Sequence, residues 1–377
     1  MDKCIVIPDS FKGTMSSTEV SNIVKEEILN IFPKCNVRCI PIADGGEGTV
    51  EAFLQSLSNG KKVTLSVSGP YMEKMDVSYA VFEDTAVIEM ASCAGLPLVE
   101  NCENPLLTTT YGVGEQILHV INNYPIKRVI LGLGGSCTND AGCGCAAALG
   151  AIFKDNEGND FIPTGGSIDK IKSIDISQVN IKLKGIQIIA MCDVNNPMHG
   201  ITGAAHIFAP QKGADSATVL KLDENLKFLD ELLKKQLGKA VGSIKGTGAA
   251  GAFGAGIIAL MGGCLQSGIE TILDMVKFDD ELKDTNLVIT GEGRLDSQTL
   301  SGKVIMGIAK RAAYAGVPVT VIAGAVEEDI DEIYSHGVSA VFSINRKPLA
   351  FEDARKYSEK NLAFMVGNIM KLLKTVK

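Results

Sequence analysis

The stretch KCIVIPDS, residues 3–10, decides how the fold is read. Its apolar, β-branched run at 3–7 stops at Pro8-Asp9, the pattern of a short buried strand. Just beyond it, Ser16 and Glu19 have capping-box spacing, and Val20, Ile23, Val24, Ile28 and Ile31 recur at helical spacing. A second strand is expected over 37–42 and a second helix over 49–57. This β-α-β-α opening implies a parallel sheet with right-handed crossovers.

Outward from that opening, the pattern changes near Gly69-Pro70. Val77, Tyr79 and Val81 alternate with polar neighbours, Glu83-Asp84 turns, and Ala86, Ile88 and Met90 alternate again. That predicts an antiparallel hairpin with one wet face. Strands are expected at 128–133 and 187–192, a hairpin within 151–161, and helices over 141–149, 216–237 and 249–260. Near residue 286 the opening pattern returns. Strands at 287–290, 319–322 and 340–343 are separated by helices at 301–314 and 329–336, and a last helix covers 351–373. The expected class is α/β. Residues 1–66 plus 286–377 make a parallel Rossmann-like or flavodoxin-like sheet domain from both chain ends. Residues 67–285 form an inserted, mixed α/β domain, with the active site in the cleft between them.

With 377 residues the chain exceeds one ordinary core, in keeping with two domains. A net charge of −8 disfavours nucleic acid and anionic membranes as partners, and the absence of Trp argues against a stacking groove. A small anionic substrate remains compatible, because local cations can bind one. The ten cysteines form no CxxC pair and read as buried free thiols of a reducing cytoplasm. The N-terminus reads as a strand, too short for a signal peptide core, and 246–263 as a buried helix broken by glycines. A cytoplasmic location is expected, and homo-oligomerisation is left open.

Four glycine- or aspartate-rich turns follow expected strands: DSFKGT (9–14), ADGGEGT (43–49), GLGGSCTNDAGCG (132–144) and GEGRLDSQTLSGK (291–303). Open α/β sheets bind ligands outside the carboxyl ends of their strands. The turn at 132–144 is the best phosphate-loop candidate. Gly134, Gly135 and Ser136 would let a backbone approach an anion, and Asn139 and Asp140 stand where they could meet a nucleotide or simply cap the next helix. The GxxxxGK[ST] and GxGxxG fingerprints fail, since Ser297 and Cys137 occupy required glycine positions, and the protein-kinase motifs are absent.

In GEGRLDSQTLSGK, Arg294 offers a planar fork for a carboxylate, the alternative being a surface ion pair with Glu292 or Asp296. Asp296 could accept a hydroxyl proton, with Asp193 and Asp44 as rivals. Lys303 could reach a phosphate or merely face solvent. Asp9, Ser10 and Lys12 add substrate-binding and catalytic candidates at the first strand end. Asp44 and Glu47 are candidate carboxylates for Mg²⁺, which binds through one or two carboxylates plus phosphate oxygens. The four histidines have no metal spacing and no nucleophile partner.

Beyond these residue types, the chain resembles the glycerate kinase family, of the bacterial, 2-phosphoglycerate-forming type I. The resemblance is carried collinearly by PDSFKGTMSS (8–17), PIADGGEGT (41–49), IEMASCAGL (88–96), NPLLTTTYGVGE (104–115), LGGSCTNDAGCG (133–144), DVNNPMHGITGAA (193–205), GTGAAGAFG (246–254) and ITGEGRLDSQTLSGK (289–303). It implies ATP- and Mg²⁺-dependent phosphorylation of D-glycerate, with the 2-phosphate expected over the 3-phosphate. A non-catalytic organic-acid-binding protein and a 2-hydroxy acid dehydrogenase are the alternative classes.

Overall fold

Strand β1, Lys3–Val6, is sealed on both faces, with Cys4, Ile5, Val6 and Ile7 all at 0% exposure. The structure is a computed structural model that describes residues 1–42, 45–296 and 303–376. Its strands are numbered in chain order, and the chain divides into two compact units.

The first unit comprises residues 1–43, 55–57 and 269–377. Its sheet is wholly parallel and joins β2 (Asn36–Cys39), β1, β12 (Leu287–Leu295), β13 (Val319–Val326) and β14 (Val338–Ser343), in that order. Cys4 stands opposite Leu287 and Val6 opposite Ile289, so both chain ends build one sheet. The crossover helix Ser17–Ile31 starts with the expected capping box, Ser16 accepting from Glu19 N while the Glu19 carboxylate accepts from Ser16 N. Val20, Val24 and Ile28 share a core with Leu362, Val366 and Met370 of the C-terminal helix Ser358–Thr375. Each such buried side chain is worth roughly 1.5–3 kcal/mol.

The second unit comprises residues 44–54 and 58–268. Its main sheet runs β3 (Lys61–Ser68), β4 (Lys74–Phe82), β5 (Thr85–Glu89), β6 (Arg128–Gly132), β10 (Gln187–Met191) and β11 (Cys264–Gln266). Pairings β3–β4 and β4–β5 are antiparallel, and the rest are parallel. A small sheet of β7 (Ile152–Lys154), β8 (Asp160–Phe161) and β9 (Ser173–Asp175) holds the second expected hairpin. This unit has its own core. The architecture is the expected one of parallel and mixed α/β sheets with a Rossmann-like or flavodoxin-like topology.

Several local expectations are corrected. Strand β5 has no wet face: it also pairs with β6, and Ala86, Val87 and Ile88 are all buried. Residues 61–66, expected in the terminal domain, belong to strand β3, whose antiparallel pairing with β4 draws them into the second unit. The unit boundaries at 43 and 268 therefore fall earlier than 66 and 285. At the far end, Arg311 ties Glu270, Asp274 and Asp279 to the first unit. The helix expected over 141–149 is only Cys143–Ala148; its N-cap residue is Gly142 in a left-handed conformation, while the Asp140 carboxylate accepts from Gly144 N in the first turn and Asn139 takes no part. All ten cysteines are free, but Cys102 and Cys264 are exposed, not buried. Among the described residues no helix is long and apolar enough to cross a membrane.

Candidate functional site

In the first unit, the chain leaves β1 through Pro8 and turns beside β12. Asp9 N donates to Gly291 O at 2.8 Å, and the Asp9 carboxylate accepts from Ser10 N at 2.6 Å. Buried Phe11 and Met15 bridge the base of the turn and leave Lys12 exposed. Asp9, Ser10 and Lys12 thus share one sheet end with Arg294 and Asp296.

The expected glycine turn after residue 290 is instead extended strand. Strand β13 supplies backbone partners as far as Arg294 opposite Ala325 and Leu295 opposite Val326, so pairing carries β12 through Leu295. Arg294 projects from that strand, 64% exposed, and donates to Glu327 Oε1 at 2.7 Å, with Asp296 Oδ2 at 3.7 Å from its Nε. The surface ion pair weighed in the sequence is therefore present, with Glu327 as its nearer acid. Exposed pairs of this kind are worth about 0–1 kcal/mol, so a ligand carboxylate can compete for the fork. Asp44 lies outside the described residues. The backbone of Lys303 opens the helix Lys303–Tyr314; its side chain lies outside them.

In the second unit, two of the glycine turns pack on each other. Gly134 N donates to Gly45 O at 2.9 Å. A Cβ on Gly134 would fall 2.6 Å from Gly46 Cα, so glycine is required there by neighbouring backbone. Glu47 is exposed on the same turn. Beside it, Glu89 accepts from Val50 N; burial raises its carboxyl above the ordinary range, and the backbone N–H groups of Val50 and Gly48 oppose that.

Gly134, Gly135 and Ser136 line a cavity of about 460 Å³, together with Asp193, Gln211 and Lys212. Asp193 follows β10, and both its oxygens accept from Gly268 N, at 3.3 and 3.2 Å. Leu96, Leu133 and Phe208 supply apolar wall. Asn139 and Asp140, expected to meet a nucleotide, are at 0% exposure and do not line this cavity. Asp140 instead accepts from Thr110 N, Thr110 Oγ1, Gly142 N and Gly144 N, holding the loop together. Burial raises its carboxyl despite those four donors. Thr138 Oγ1 and both amide atoms of Asn139 are buried without a partner among the described residues.

Lys212 is the residue missed by sequence reasoning. In APQKGA it looks like one more solvated lysine at a turn, yet its side chain is buried against residues 136–138. Pro210, two residues before it, and Gly213, just after it, mark a tight turn, and nothing else in the sequence singles it out.

The sites expected from sequence thus fall into two sets, one in each unit. The whole length of the chain decides what they belong to: residues 4–374 match the model of the glycerate kinase family. The chain belongs to the glycerate kinase family. Among relatives, it is 43% identical to a glycerate kinase of Bacillus cereus, the match spanning 97% of each chain. It is 40% identical to the glycerate 2-kinase of Escherichia coli, again over 97% of each. A solved structure of a glycerate kinase 2 candidate from Salmonella typhimurium LT2 superposes with a TM-score of 0.85 at 38% identity, covering 99% of this chain and 98% of that one.

Proposed function

We propose that this chain transfers the γ-phosphoryl group of ATP to D-glycerate. The observation that carries the reading is family membership over residues 4–374, with relatives named glycerate kinases matched along nearly their full length. In the reaction a glycerate hydroxyl oxygen bonds to the γ-phosphorus, the bond from that phosphorus to the bridging oxygen breaks, and ADP leaves. The hydroxyl proton passes to a carboxylate. Asp296, beside Arg294, is the first choice, and Asp193 on the cavity wall is the rival. Arg294 is assigned to the glycerate carboxylate, with Asp9, Ser10 and Lys12 at the same sheet end completing that subsite. The Gly134–Gly135–Ser136 turn is assigned to the nucleotide.

The donor set suits Mg²⁺ arriving with the nucleotide. Among the described residues no three His, Cys, Asp or Glu side chains cluster as a cage, and an ion held by one or two carboxylates plus phosphate oxygens needs none. Asp44, Glu47 and Asp193 are the carboxylates assigned to it, and when bound it would offset charge across the phosphates. The product is assigned as 2-phosphoglycerate, because the Escherichia coli relative is named a glycerate 2-kinase. The test mixes the protein with ATP, Mg²⁺ and D-glycerate, follows ADP, and identifies the product by ³¹P NMR. Glycerate-dependent ADP that disappears with excess EDTA supports the reading, and no glycerate-dependent ADP defeats it.

A further inference from the structure

Lys212 sits on the turn Pro210–Lys212, following the helix Ala204–Phe208. Its side chain is only 1% exposed, yet it lines the 460 Å³ cavity. The ammonium donates to Ser136 Oγ at 2.8 Å and to Thr138 O at 2.7 Å. Both acceptors are neutral. Among the described residues no carboxylate pairs with Lys212, and the third N–H has no acceptor. A buried ammonium with no carboxylate in direct contact is costly, and a lysine serving only to fill space there would be better as methionine. The loop it touches also carries the orphaned Thr138 hydroxyl and Asn139 amide, buried behind the cavity wall.

We infer that Lys212 is the anion anchor of this cavity, its ammonium receiving an anionic oxygen of the bound ligand: a phosphate of ATP or the carboxylate of glycerate. The identity of those two ligands rests on the kinase reading above; the anionic character of the subsite does not. The hydroxyl of Ser136 and the open glycine backbone beside it offer the same oxygen further donors. The titratable groups around the ammonium are Cys137 and Asp140 on the loop, with Cys192 and Asp193 on the cavity wall. Burial lowers the Lys212 pKa to about 8, while Cys137 and Asp140 pull it upward. The anchor is therefore largely cationic at neutral pH.

The test measures, by titration calorimetry, the affinity of the full chain for Mg-ATP alone and for D-glycerate alone, in wild type, Lys212→Met and Lys212→Arg. A charge-assisted hydrogen bond lost from a buried site weakens binding by roughly 10- to 100-fold. Weakening of that size for Mg-ATP in Lys212→Met, with partial recovery in Lys212→Arg, assigns the phosphate; the same pattern for glycerate assigns the carboxylate. Both affinities within about threefold of wild type in a folded Lys212→Met overturn the inference. Should that variant not fold, wild-type affinity is followed from pH 7.5 to 9.5, where Lys212 discharges. A fall in affinity supports the anchor, and a flat profile for both ligands overturns it. Wild type that binds a ligand but forms no ADP defeats the kinase reading alone, and wild type that binds neither defeats both.

Discussion

At the scale of single residues, Lys212 also has a consequence for stability that binding does not report. Its pKa in the fold, about 8, is below that of an ordinary lysine near 10.4. Below pH 8 folded and unfolded chains both carry the proton, so the full cost of burying the charge is present. Between there and the ordinary lysine range the folded chain releases its proton while the unfolded chain keeps it, and stability rises with pH. Urea unfolding of wild type, referenced to Lys212→Met at each pH, should show wild type gaining up to about 2 kcal/mol between pH 7 and 9.5. No relative gain would mean that the ammonium is not desolvated. For chemistry, Asp296→Asn should lower kcat by roughly 10²- to 10⁴-fold with the glycerate KM nearly unchanged. A loss below about tenfold moves the proton acceptor to Asp193, and Asp193→Asn should then carry the large effect. The acids and Arg294 could be read as candidates because reactive types stood together in the sequence. Lys212 could not, because its burial is created by Ser136 and Thr138, more than seventy positions away.

At the scale of elements, what was legible is what neighbours in sequence determine. The helix Ser216–Leu237 begins at Asp215, whose carboxylate accepts from Thr218 N, and stops at Gly238 in a left-handed conformation; its bounds are those expected. The β4–β5 hairpin likewise followed from its alternation. Strand β12 ran on past its expected end because β13 gives it a ladder, and a partner strand is invisible in local pattern. The helix Ala249–Leu260 has the bounds expected, but the kink inside its first turn was not legible. Ala250, Gly251 and Ala252 all take left-handed angles, at φ 54°, 65° and 68°. Gly251 is forced there by packing, since a Cβ would stand 2.0 Å from Thr138 O. Gly251→Ala should therefore lose about 2–4 kcal/mol in urea unfolding, well beyond the roughly 1 kcal/mol expected for Gly158→Ala. The latter position also has positive φ but open space around it. Equal losses would show that backbone angle alone, not the contact with Thr138, sets the requirement.

At the scale of the whole molecule, the two units differ in how their chain is supplied. The second is essentially one continuous stretch with its own core, and the first is assembled from the two ends. A fragment of residues 44–268 should thus unfold cooperatively in a thermal melt followed by circular dichroism, whereas 269–377 alone should not, because β12 would lack β1. A broad, non-cooperative melt of the first fragment would contradict the independence of its core. The discontinuity itself was legible because the strand pattern of residues 3–7 recurs after 286. Where the units divide was not, because β3 joins the second unit through its pairing with β4, while the segment from Ile269 is held by Arg311, about forty positions on.

The same pairing sets a timetable for the protein as it is made. Thr290 Oγ1 donates to Ile7 O across 283 residues, so β1 leaves the ribosome long before its neighbour β12 exists. At ~5–20 residues per second that interval is on the order of tens of seconds. Until β12 is made, β1 can pair with β2 on one side only, which leaves the backbone N–H and C=O groups of its other edge unpaired. Such an edge is a template for intermolecular pairing. The nascent chain is thus most exposed to aggregation while its middle is being translated, and the last third of synthesis closes the risk.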